Sequence, residues 1–189
     1  MNRSYLQKFQ IKDVVFLTIM SAVALATCAV MPLVISLQPL IFGISQLVTA
    51  LQIGVFFAIG LYKVRKPGSL LIMALMMGLI QLMMSPPMFL SSVLNGILIE
   101  LIVLLLFRGY EKDGAVFCAT MLHTPLSLPF NYLYNRLIKG ADSPLAAVAD
   151  RVPLAAVGMT LAVVAVSALG ALIGIKIARE LKKSGVLKK

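Results

Sequence analysis

The sequence predicts an all-α, polytopic membrane protein with six transmembrane helices and both termini in the cytoplasm. Three observations predict it. Of the 189 residues, 60% are apolar and 13% charged, about half the charged share of soluble domains. Apolar runs long enough to cross a hydrocarbon core about 30 Å thick recur six times between charged or Pro/Gly breaks. Basic residues gather in alternate connections between those runs, as the positive-inside bias requires of a chain that weaves through a bilayer.

In order, the runs are Val14 to Leu37, Ile41 to Tyr62, Ser69 to Ser85, Met88 to Phe107, Ala115 to Leu137 and Pro153 to Ile177. Arg3, Lys8 and Lys12 precede the first, Lys63, Arg65 and Lys66 follow the second, and Arg108 and Lys112 follow the fourth. Lys176, Arg179, Lys182, Lys183, Lys188 and Lys189 close the chain, whereas the other connections hold only Arg136, Lys139 and Arg151. An even number of spans then puts both ends inside. The expectation is one domain, 1–189, with basic cytoplasmic ends over 1–13 and 178–189. A competing reading makes the N-terminus a secretory signal cleaved at Ala24-Leu25-Ala26, but the apolar run continues through VMPLVISL, which a cleaved peptide does not need. Pro32 and Pro39 predict that MPLVISLQPLIFG is an irregular outer segment. Such backbone is tolerated at that depth only under protein or beside a cavity, which makes it a candidate lid.

Several function classes fall away. A net charge of +10 does not imply nucleic acid, because the cations form short clusters between apolar runs and not one basic surface. There is no G-x-x-x-x-G-K-[ST] and no G-x-S-x-G, and a single histidine rules out H-E-x-x-H. No enzyme activity, cofactor or metal is therefore expected. Cys28 and Cys118 lie inside apolar runs and read as packing residues. Gly170 and Gly174 have the small-x-x-x-small spacing of helix packing.

Orientation gives each intramembrane polar residue a depth. Gln46, Gln81, Asn95, Ser127, Asn131, Tyr132, Tyr134 and Asn135 fall in the outer half, with Gln52 and His123 near the middle and Glu100 slightly below it. Cytoplasmic halves are almost bare. Polar groups in membranes face the bundle interior or a water-filled cavity, so this bias predicts a pocket open to the outside. On the fifth span, Ser127, Asn131 and Tyr134 lie about 40°, 80° and 20° from His123, so the four can share a face. Pro125 and Pro129 are expected to interrupt that helix. Each amide has a plainer reading as interhelical glue, and the tyrosines as interfacial belt residues. Glu100 is the leading candidate, since a central carboxylate costs roughly 3 kcal/mol unless something pairs with it.

Three stretches carry a resemblance: Arg65-Lys66-Pro67-Gly68, Asn95-Gly96-Ile97-Leu98-Ile99-Glu100, and the glycine-rich end of span six running to Ser184-Gly185-Val186-Leu187. With six spans in this length, they resemble the substrate-binding S components of energy-coupling factor (ECF) vitamin transporters, and in particular the YkoE subfamily associated with thiamine and its hydroxymethylpyrimidine precursor. The likeness runs from span two onward, and span five carries none of it. It implies a multi-pass protein of a bacterial or archaeal plasma membrane that captures a small vitamin-like solute from the outer side. A transmembrane coupling protein (EcfT-like) and two ATPase subunits would be its partners, with no nucleic acid. It implies too that Ala22 and Ala26, at the family's Ala-x-x-x-Ala spacing, pack against the coupling protein. Glu100 would then accept paired hydrogen bonds from a protonated aminopyrimidine, while Asn95, Gln81 and Asn131 read the ring's edge. The rival is a solitary secondary transporter or channel in which Glu100 and His123 relay protons; a third class, a structural membrane protein, has no ligand.

Overall fold

Glycines and prolines punctuate the chain into helices. The computed structural model describes residues 8–28, 33–34, 36–37, 40–140 and 143–187, and among them are seven helices and no strand. These are α1 (Ile11–Thr27), α2 (Ile44–Lys63), α3 (Ser69–Leu82), α4 (Pro86–Phe107), α5 (Asp113–Ile138), α6 (Pro144–Arg151) and α7 (Pro153–Lys183). Pro32 and Pro39, which carry the lid expectation, lie outside the described residues, as do Arg3, Lys188 and Lys189. Helices α4, α6 and α7 have proline in their first turn, where a missing N–H leaves no intrahelical carbonyl unserved. That is why α4 starts ahead of the expected Met88. The short α6 falls in a connection where no helix was expected.

The expected interruption of the fifth span does not occur. Helix α5 runs through Pro125 and Pro129 without a break, and polar side chains beside the prolines turn back onto its own carbonyls. Ser127 Oγ donates to Thr124 O at 2.7 Å, and the side-chain amides of Asn131 and Asn135 donate to the carbonyls of Ser127 and Asn131 at 2.9 and 2.8 Å.

Helices α2, α4 and α7 are long and apolar enough to cross a membrane, whereas α3 is apolar but has 14 residues, about 21 Å of helix. Leucines such as Leu105 (81% exposed) and Leu154 (84%) face outward, which suits helices whose solvent is lipid. Basic residues from several helices meet at one end. Lys66 Nζ lies 2.6 Å from Asp13 Oδ2, and Arg65 and Arg179 both reach Asp113 at 2.6 Å. Lys63 sits 4.0 Å above the Phe16 ring. Hence α1, α3 and α5 run away from this basic end, and α2, α4 and α7 run toward it. The core beside it is apolar, built on Leu17, Phe57, Leu61, Leu70, Met73 and Val103.

Helices α2 and α7 therefore lie parallel, in the most extensive helix contact of the bundle. Their approach is set by the two glycines of the small-x-x-x-small pair. A Cβ on Gly170 would stand 2.7 Å from the Leu51 carbonyl oxygen, and one on Gly174 would stand 2.5 Å from that of Val55. Gly174→Val is expected to lower the thermal midpoint in detergent by an amount equivalent to about 1–3 kcal/mol, because backbone cannot yield as a flexible side chain does. Gly158→Val, on the same helix with nothing within 4 Å, should leave it unchanged.

The ion pairs carry a pH signature. Burial alone would raise the Asp113 carboxyl, but the hydrogen-bonded guanidinium groups of Arg179 and Arg65 outweigh it and hold the group below the usual carboxylate range. A depressed folded-state value means that the contribution is complete above the unfolded value and fades as pH falls through the folded one. The thermal midpoint should be flat from pH 7 to 5 and drop below about pH 4, and Asp113→Asn should reduce that acid drop. A flat profile to pH 3 would remove these pairs from the account.

Candidate functional site

Away from the basic end, where α1 and α3 finish and α2 and α4 begin, five helices enclose a half-open cavity. It holds about 730 Å³ of atom-free space with its mouth included. Its wall takes Leu25 and Cys28 from α1 and the turn after it, Ser45, Gln46, Thr49 and Ile53 from α2, and Met77 and Gln81 from α3. Met88, Ser91, Ser92 and Asn95 come from α4, and His123, Thr124, Ser127 and Asn131 from α5. The outer-half bias read from the sequence is thus a convergence in space: Gln46, Gln81, Asn95, His123 and Asn131 share one cavity. Two predicted site residues, Glu100 and Tyr134, are not part of it.

Chemically the wall is polar without being charged. Ser45 Oγ donates to Gln46 Oε1 at 2.9 Å, Thr49 Oγ1 to Ser45 O at 2.8 Å, and Ser92 Oγ to Ala74 O at 3.0 Å. Other groups have no such outlet. Asn95 Oδ1, both ring nitrogens of His123 and Thr124 Oγ1 are buried without a hydrogen-bond partner among the described residues, on side chains only 1%, 5% and 4% exposed. An unmet buried polar atom costs about 1–3 kcal/mol, so four on one wall are a concentrated expense of folding that a bound guest would offset. The Phe57 ring, with its centroid 4.6 Å from that of His123 and tilted by 57°, holds the imidazole in place from behind. No group of three or more His, Cys, Asp or Glu among the described residues is placed to hold a metal.

Glu100 answers to a different need. Gly68 N–H donates to its Oε1 at 2.6 Å and Tyr110 Oη–H to its Oε2 at 2.9 Å, with the backbone N–H groups of Leu70 and Leu71 close by. These are the orphan donors at the start of α3, and an anion is the acceptor that a helix N-terminus favours. Gly68, with φ of 92°, makes the turn that presents them, a conformation in which L side chains are strained. The hairpin register shows why a glutamate meets this helix start. A Cβ on Gly78 would meet Phe89 and one on Gly96 would meet Ala74, so each step forward on α3 is a step back on α4. The short α3 therefore begins level with Glu100.

Tyr134 lies only about 20° from His123 around α5 but eleven residues on, about 16 Å further along the axis. There the Lys139 ammonium stands 5.8 Å from the centroid of its ring. Tyr132 bonds Asp150 at 2.7 Å, Arg136 pairs with the same carboxylate, and Asn135 Oδ1 accepts from Ser143 at 2.9 Å. These contacts tie α5 to α6. Gln52 is off the cavity wall, and its Oε1 has no partner among the described residues. Cys118 is half-buried, whereas Cys28, read as packing, is buried on the wall. The hydroxyls of Ser45, Thr49, Ser91, Ser92 and Thr124 were not singled out from sequence. A signal existed: Thr49 stands one turn from Gln46, and Ser91 and Ser92 one turn from Asn95, each on its partner's face.

Fold and cavity together define an α-helical integral membrane protein with a polar chamber buried among its helices. The chain belongs to the family described as hypothetical bacterial integral membrane protein (Trep_Strep), whose profile matches residues 11–183. No curated protein and no solved structure matches it.

Proposed function

We propose that this chain is a substrate-binding S component of an ECF-type importer: a six-span protein of the bacterial plasma membrane with cytoplasmic termini. It captures a small vitamin-like solute from the outer side, with thiamine and its hydroxymethylpyrimidine precursor as the candidates that the resemblance supplies. The observation that carries this reading is the cavity, whose unpartnered Asn95, His123 and Thr124 atoms are set in the half of the bundle away from the basic end. Positive-inside bias makes that half the outer one. The chain binds and does not catalyse; an EcfT-like coupling protein and two ATPases supply the energy. Ala26 is exposed and Ala22 half-buried on α1, which leaves this small-residue face free for a partner helix to approach closely.

The proton-relay alternative has less support, because Glu100 is outside the cavity that His123 lines and is already engaged by the donors at the start of α3. Uptake of labelled hydroxymethylpyrimidine and thiamine in cells that lack their own transporters separates the two. Accumulation is expected only when the coupling protein and ATPases are co-expressed. Accumulation by this chain alone, driven by a pH gradient, would install the relay instead.

A further inference from the structure

We propose that the guest of this cavity is uncharged: one flat ring whose edge both donates and accepts hydrogen bonds, so that permanent cations, thiamine among them, are refused. This rests on the reading of the cavity as a solute site and adds the class of solute. The carrying observation is the wall, which among the described residues includes many polar side chains but no Asp, Glu, Lys or Arg. The sequence extends that beyond the described residues, since no such residue occurs anywhere in 14–62, 69–99 or 114–135. The connection between α1 and α2 therefore has no charge to lend. Glu100, the one intramembrane carboxylate a cation might seek, is committed to the start of α3.

What the wall offers is directional. Asn95 Oδ1 can only accept, Thr124 Oγ1 can donate or accept, and a neutral imidazole presents one nitrogen of each kind. A solute that satisfies all of them needs at least one N–H or O–H beside at least one ring nitrogen or carbonyl oxygen. Leu25, Ile53, Met77 and Met88 supply apolar surface for the ring faces.

The test uses the full chain purified in mild detergent. Solute released by denaturation is identified by mass spectrometry, and calorimetry compares 4-amino-5-hydroxymethyl-2-methylpyrimidine with thiamine, which carries the same ring and a fixed positive charge. The expected results are a released solute with no group ionised at pH 7 and a preference for the neutral probe of about 100-fold or more, the scale set by an unpaired charge in a membrane interior. Gln46→Glu, which adds a carboxylate to the wall, should narrow that preference at least tenfold. A charged co-purifying solute, or thiamine bound as tightly as the neutral ring, overturns this inference and leaves the cavity a solute site. Recovery of no solute together with binding of neither probe overturns the reading of the cavity, and this inference with it.

Discussion

Replacing Glu100 by leucine should cost the bundle several kcal/mol, whereas Glu100→Gln should keep the solute affinity within about threefold. The leucine leaves the Gly68 N–H and the Tyr110 hydroxyl without the acceptor they share. At about 1–3 kcal/mol for each buried orphan, that is a large part of a stability of roughly 5–15 kcal/mol. Glutamine keeps one oxygen for the helix start but loses the anionic charge and puts an NH2 donor where the second acceptor oxygen stood, so its thermal midpoint should fall between the two. Thermal unfolding and solute calorimetry on the same samples read both quantities. A glutamine variant with an unchanged midpoint and no binding would return Glu100 to the ligand.

Asn95→Leu should have the opposite profile. Leucine is close to asparagine in shape, and the Asn95 oxygen that it removes has no partner among the described residues. The empty protein should therefore be as stable as before or more so, since replacing an unmet polar group by an apolar one relieves its desolvation. Solute binding should weaken about 10- to 100-fold, the equivalent of one buried hydrogen bond together with the donor it strands on the ring. Stability and affinity moving in opposite directions is the mark of a site residue held at a cost to the fold. A parallel loss of both would make Asn95 a packing residue.

These two variants divide what could be read in the chain from what could not. Asn95 and Glu100 sit five residues apart, and a helical wheel places them about 140° apart, which is compatible with two walls of one pocket. Periodicity cannot say what faces each wall. Asn95 meets the cavity because α1, α2 and α5 converge opposite it, while Glu100 meets the start of α3 because that helix is short. The length of α3 was nearly legible, but the expected run to Ser85 overshot its end at Leu82. Tyr134 failed for a related reason: angle around a helix was a sound guide to its face and no guide to its height.

Apolar content, the spacing of breaks and the distribution of cations by themselves determined that this is an all-helical membrane protein whose polar side chains crowd one half. Those properties are local or additive along the chain, and lipid imposes them on each segment separately. Only the tertiary structure decided which polar groups share a chamber and which serve a neighbouring backbone. Hydrogen bonding is a contact property, settled by helix lengths, hairpin register and the close approach that Gly170 and Gly174 permit between α2 and α7. A carboxylate and a carboxamide are equally out of place in oil until the atoms opposite them are known.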